Sequence, residues 1–396
     1  MTDSGFSGSI RGGEVLLAGA DRLETADLAW VDGHITSTDA PRPTGSAEAE
    51  TRIDARGAYV LPGIIDLHGD AFERSLMPRG GVYASAGVAF DDCRNQLLAS
   101  GITTAYISVT DSWEPGLRSR DTLLTIAEVL AAHQGEPDLK LHVRHERCFT
   151  QVDQILDWVA DGTIHMLSFN DHTPGGITHI DGLSPSQISR AGVSADALEA
   201  RMIAAMAERD TGLRQEEVLA EAATAAGCPL ASHDSTTDAD LARDRELGVA
   251  IAEFPATIEL GARYQELGID VMLGAPNLVR GGSHIGNLSV RDALAAGVGS
   301  IVCSDYHYPS LLQSPFVLDA VGIRPLASAW DLVAGAPARA AGLTDRGVLA
   351  SGQRADVIVV EPPRGDRPAR VVAVVCGGRV AWQAARRAET IPAAVV

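Results

Sequence analysis

The sequence predicts an α/β chain folded as a (β/α)8, TIM-like barrel, with a small β-sandwich built from both chain ends. Three observations carry this. Apolar β segments alternate with amphipathic helical segments through the middle of the 396 residues. Histidines and carboxylates recur directly after those β segments, where a barrel of this kind gathers its chemistry. The two ends, in contrast, are short β segments punctuated by Gly, Asp and Pro. The expected division is 1–59 for the N-terminal part of the sandwich, 60–344 for the barrel and 345–396 for the C-terminal part.

At the N-terminal end GEVLLAG, DLAWVDGHI and RIDARGAYV read as strands, with PRPTGSAEAE (41–50) as a loop between them. The barrel strands follow as VLPGIIDL (60–67), ITTAYISV (102–109), LKLHVRHE (139–146) and IHMLSFN (164–170). PLAS (229–232), VAIAEF (249–254), DVMLG (270–274) and GSIVCS (299–304) complete the eight. SADALEARMIAAMAER and RQEEVLAEAATAAG carry the apolar spacing of crossover helices. RGVLASGQRADVIVVEPP and RVVAVVCGGRVAW return to β at the C-terminal end. A doubly wound sheet shares the alternation, but no GxGxxG follows a strand and opens a helix.

A formal net charge of −20 argues against nucleic acid or an anionic membrane as partner. No apolar run reaches the roughly 18 residues of a membrane span, and MTDSGFSGSI lacks the pattern of a secretory signal, so the cytoplasm is expected. The five cysteines are scattered without a CxxC pair, which fits reduced thiols better than a disulfide framework. A small-molecule substrate is the expected partner, and a homo-oligomer stays open.

The polar residues at the strand ends narrow the chemistry. The first strand ends in His68-Gly69-Asp70, the third in Arg144-His145-Glu146, and the fourth runs into Asn170-Asp171-His172. The fifth ends in Ser232-His233-Asp234, the sixth in Glu253 and the eighth in Ser304-Asp305. Residues i and i+2 of an extended strand point the same way, so His68 and Asp70 can reach one ion. Imidazoles with carboxylates suit a divalent metal: zinc first, manganese or iron as alternatives.

IIDLH after a β-rich N-terminus, GITT on the second strand, His on the fifth and Asp on the eighth resemble the amidohydrolase superfamily. DHTPG, PLASHD, AIAEFP, MLGAPNLVRGGSHIGN and CSDY further resemble its branch of diphosphatases acting on ribose 1-methylphosphonate 5-triphosphate in the carbon–phosphorus lyase pathway. The resemblance implies one or two metal ions per chain, with His68, Asp70, Glu146, His172 and His233 as ligands. Asp305 is implied as ligand and catalytic proton acceptor, and Glu253 as a further donor. Asp70 has a second reading, orienting His68, and His172 another, satisfying a turn. Many superfamily members bridge two metals with a carboxylated lysine. The only lysine here, Lys140, is six residues before Glu146, roughly 20 Å from the strand end, too far for that role.

The implied reaction is attack of metal-activated hydroxide on phosphorus, releasing pyrophosphate. So anionic a substrate needs cations and amide donors: Arg280, His284 and Asn287 in NLVRGGSHIGN, Arg79 in MPRGGV, and Arg144. A solvated or loop-bracing charge is the alternative for Arg79 and Arg280, a buried ion pair for Arg144. Two other functions compete. One keeps the metal and hydrolyses a cyclic amide or amine; the other is a non-catalytic scaffold, for which loss of ligands would be the sign.

Overall fold

The computed structural model describes residues 6–37, 51–173, 183–282 and 288–385. The barrel strands are β1 (Ile64–Gly69), β2 (Ile102–Asp111), β3 (Asp138–Glu146), β4 (Met166–Asn170), β5 (Leu230–His233), β6 (Ile251–Glu253), β7 (Asp270–Gly274) and β8 (Ile301–Cys303). Each pairs in parallel with the next in chain order. All ten residues of β2 are buried, as a parallel strand covered on both faces requires. Alternate residues divide between two environments. Ile65, Leu67, Tyr106, Met166, Ile251 and Met272 fill the barrel, while Ile64, Ile107, Val143, Leu167 and Val271 pack outward under the helices.

The ring closes at one end. Gly69 bridges Asp305; Asp305 N–H donates to the His68 carbonyl at 2.9 Å, and Asp70 N–H donates to the Asp305 carbonyl at 3.1 Å. The Asp66 carboxylate, fully buried, accepts from Ser304 N–H at 2.9 Å and also takes the Ser304 hydroxyl. The helical crossovers form where the pattern places them. Ala195–Met206 is capped by Ser194 Oγ, and Arg209–Ala226 ends at Gly227 with φ 68°.

Both chain ends join one separate sheet. Gly8–Val15, Glu24–Val31, His34–Ser37, Thr51–Asp54 and Tyr59–Pro62 hydrogen-bond with Val357–Glu361, Arg370–Cys376 and Arg379–Gln383 as a continuous eight-stranded sheet. The ends meet where Tyr59–Pro62 runs antiparallel to Val357–Glu361. Trp30, Ile10, Val60, Val357 and Val375 make its own core; Ile358, Val360, Val371 and Val374 face the barrel core. The apolar run 60–67 is therefore two strands, not one, split at Gly63 between the sheet and β1. A Cβ at Gly63 would lie 2.2 Å from Thr103 Oγ1, so the chain passes there only without a side chain. Lys140 pairs with Asp138 at 3.6 Å, at the start of β3 and away from the mouth.

Candidate metal centre and active site

The ends of β1, β5 and β6 converge. His68, His233 and Glu253 are all buried and offer ligand atoms within 4.8 Å of one another; His172, His233 and Asp234 form a second such group nearer the mouth. The two groups share His233. The backbone is forced to make this rim: Asp234, Phe254 and Asp305, each just beyond a strand, have φ of 59°, 57° and 54°. Left-handed conformation in a residue with a side chain costs about 1–3 kcal/mol, and such strain concentrates at functional sites. At Phe254 it sets the ring edge-on to His68 and His233, with centroids 5.1 and 5.3 Å away.

The donor set fits a divalent cation. His68 Nδ1 lies 3.0 Å from Glu253 Oε1, whereas Glu253 Oε2 is buried without a hydrogen-bond partner. A buried carboxylate oxygen left unpaired beside imidazoles is the environment a cation relieves. Burial, with Arg144 and His233 adding to it, holds the His68 imidazole well below its ordinary pKa, so it is a neutral ring.

The other residues singled out from the sequence fall into separate arrangements. Arg144 is buried between Asp70 and His233, with Nη1 3.4 Å from Asp70 Oδ2 and Nη2 2.9 Å from His233 Nε2. Its guanidinium thus stands among carboxylate and imidazole groups as a fixed positive charge. Glu146 lies outside both ligand groups. It contacts the His172 imidazole, accepts His172 N–H at 2.9 Å and takes Asn170 Nδ2 at 2.6 Å. Burial alone would raise this carboxyl, but the His172 contacts outweigh it and hold it at about 2. Asp305 goes the other way: burial, then the charge of Asp70, push its carboxyl well above the ordinary range against the pull of Arg144. It holds a proton more readily than a free aspartate.

A cavity of about 340 Å³ opens above these groups. Its lining combines the charged and polar Asp70, Arg118, Arg144, His172 and Asp305 with the apolar Phe254, Pro255, Leu273, Leu288 and Val290. Sequence reading missed Arg118. It sits in the turn Gly116–Arg118 beyond β2, in WEPGLR, and forks onto Glu73 at 2.9 and 3.3 Å. Its only sequence signal was Trp-Glu-Pro-Gly punctuation after an apolar strand. Asn277, also on the cavity, was missed as well, and Asp234, named at the end of the fifth strand, was given no role. Arg280 is exposed and donates to the Gly282 carbonyl at 2.7 and 3.1 Å; Arg79 is exposed in a turn closed by Val82 N–H at 2.9 Å. Neither lines the described cavity. His284 and Asn287 lie outside the described residues.

The same architecture recurs among solved structures. Molinate hydrolase superposes with a TM-score of 0.63 at 13% identity, over 95% of each chain. A Xaa-Pro dipeptidase with methionine bound gives 0.63 at 14%, over 96% of this chain and 100% of that one. No family model matches the chain. The chain belongs to the amidohydrolase superfamily of hydrolases, whose members are typically metal-dependent. Among curated proteins, the alpha-D-ribose 1-methylphosphonate 5-triphosphate diphosphatase of Escherichia coli (strain K12) is 32% identical over 337 residues, 79% of this chain and 87% of that protein. Adenine deaminase 2 of Rhizobium meliloti (strain 1021) is 26% identical over 391 residues, 94% of this chain but 56% of the deaminase, so the chain spans little more than half its length. Among the described residues no helix is long and apolar enough to cross a membrane.

Proposed function

We propose that the chain is a metal-dependent hydrolase that cleaves ribose 1-methylphosphonate 5-triphosphate, or a related phosphonate or phosphate ester, releasing pyrophosphate. The observation that carries this reading is that Arg118, Arg144 and Asp305 line one cavity together with His233, a member of the His68–His233–Glu253 group. The likeness to the Escherichia coli diphosphatase supports the same substrate class. His68, His233 and Glu253 would hold the cation. When bound, a divalent cation offsets charge on phosphoryl oxygens and lets water supply hydroxide near neutral pH.

The protein groups divide the remaining work. Asp305, whose carboxyl is given a raised proton affinity by burial and by Asp70, accepts the proton of the attacking water. Arg118 and Arg144 neutralise the phosphate oxygens, and the pairing of Arg144 with Asp70 and His233 fixes its fork before substrate arrives. The water oxygen bonds to the phosphorus nearest the ribose, the bridging P–O bond breaks, and pyrophosphate leaves. The other product is ribose 5-phosphate still carrying its 1-methylphosphonate.

The apolar share of the lining, Phe254, Pro255, Leu273, Leu288 and Val290, favours a second reading, hydrolysis of a cyclic amide or amine, in line with the adenine deaminase relative. One experiment separates them. Purified, cation-loaded chain is given ribose 1-methylphosphonate 5-triphosphate, with pyrophosphate as readout, and separately adenine, with ammonia as readout. Pyrophosphate release abolished by Asp305→Asn is the expected result. Ammonia release without pyrophosphate release overturns the substrate assignment in favour of the second reading.

A further inference from the structure

A second cavity, of about 320 Å³, adjoins the catalytic one. Tyr306 lines both. The chain also passes from one to the other at Asp70 and Ala71, the former lining the catalytic cavity and the latter this one. Its lining comes largely from helices Phe72–Leu76 and Tyr308–Ala320, which begin just beyond β1 and β8, with Asp92 and Gln96 added from Ala86–Ala99.

Arg74 supplies this cavity with positive charge. Its guanidinium lies over the Tyr306 ring, 5.6 Å from the centroid, and makes no ion pair or hydrogen bond among the described residues. Arg118 and Arg144, on the catalytic cavity, are by contrast bound to Glu73 and Asp70. A cation held over an aromatic face keeps its N–H donors for an anion. Asp92 lines the cavity too, and its Oδ2 accepts from Ser75 Oγ at 2.7 Å and from Gln96 Nε2 at 2.8 Å. Its Oδ1 accepts nothing among the described residues, which leaves an oriented acceptor for a hydroxyl. Ala71, Pro78 and Pro309 add apolar surface. One guanidinium beside one carboxylate suits a ligand of single negative charge and disfavours a multiply charged one. A hydroxylated sugar carrying one small anionic group with a methyl meets every part of this lining.

We propose that this second cavity is a subsite for a sugar phosphonate, with Arg74 neutralising the methylphosphonate and Asp92 accepting from the ribose hydroxyls. The two ends of the substrate then divide by charge. The triphosphate meets Arg118 and Arg144 beside the cation group, and the singly charged phosphonate meets Arg74. Tyr306, common to both cavities, marks the passage between the reacting end and the recognised end. The inference rests on the proposed substrate and deepens it, because it assigns specificity to residues that touch no reacting atom.

The test is direct binding of ribose 1-methylphosphonate, which lacks the triphosphate, to full-length cation-loaded protein by isothermal titration. The parent chain is compared with Arg74→Gln and Arg118→Met. Arg74 is exposed and unpaired, so its replacement strands no buried partner and leaves the fold intact. The expected result is Kd raised roughly tenfold by Arg74→Gln and unchanged by Arg118→Met. No binding by the parent, an unchanged Kd in Arg74→Gln, or an equal loss in Arg118→Met overturns the proposal. Failure of the parent reading looks different. A chain that binds the sugar phosphonate through Arg74 yet releases no pyrophosphate from the 5-triphosphate keeps its subsite and loses the proposed reaction.

Discussion

Asp356 offers a quantitative check on the junction between the two chain ends and the barrel. Its side chain is buried, with Oδ1 accepting Gly377 N–H at 2.8 Å and lying 3.2 Å from Arg354 Nε; Oδ2 is 4.0 Å from Arg346. Burial raises this carboxyl from 3.8 to about 6, even though Arg354 and the Gly377 amide pull it down. The folded state therefore holds the proton more tightly than the unfolded chain does. The resulting stability is fully present below pH 3.8 and is lost as pH rises through about 6. The whole loss is about 3 kcal/mol, most of which falls between pH 4 and pH 7. Asp356→Asn keeps an oxygen for Gly377 but cannot ionise. Losing the arginine contacts offsets the variant by a fixed amount; the change with pH is the informative quantity. Urea midpoints of both proteins, measured from pH 4 to 7 with chelator present, should show the variant gaining about 2 kcal/mol or more relative to the parent. A difference that stays flat across that range would falsify the argument.

Gly63→Ala drives a methyl into Thr103 and should cost about 1–3 kcal/mol, part of it recovered when Thr103→Ala is added; additive losses would show that the two positions do not collide. Arg118→Met removes a guanidinium from the cavity wall and should weaken pyrophosphate inhibition by roughly tenfold, measured as Ki; an unchanged Ki would place the phosphates elsewhere. A divalent cation at a hundredfold over its Kd should stabilise the chain by about 2.7 kcal/mol, seen as a Tm rise that chelation reverses, and no rise would mean the cluster binds no ion in the folded state.

The barrel was legible because burial on both faces writes parallel strands as apolar runs: seven of the eight expected segments each overlap one barrel strand, while 60–67 runs across Gly63 from the end sheet into β1. The strand-end histidines His68, His172 and His233 were legible for the same reason, since the end of an apolar run marks the mouth. Other features depend on distance in space rather than spacing in sequence. Arg118 reaches the cavity only because a turn beyond β2 docks on Glu73, 45 residues away. Glu146 shows the converse. Its place at a strand end was plain, yet the loop after β4 folds back and takes both of its oxygens.

The joint between β1 and β8 carries a consequence for how the chain is made. Synthesis proceeds from the N-terminus, so His68, His172, His233 and Glu253 all emerge before Ser304 and Asp305, the residues that fasten the ring. Until then β1 is an open edge, rich in apolar side chains and bearing unpaired amides, the kind of surface that recruits other strands. The two residues that end this exposure are also the ones that bring the Asp305 carboxylate to the mouth. A chain halted at the ribosome before residue 304 would thus be both inert and adhesive, and one short stretch of translation removes both conditions together.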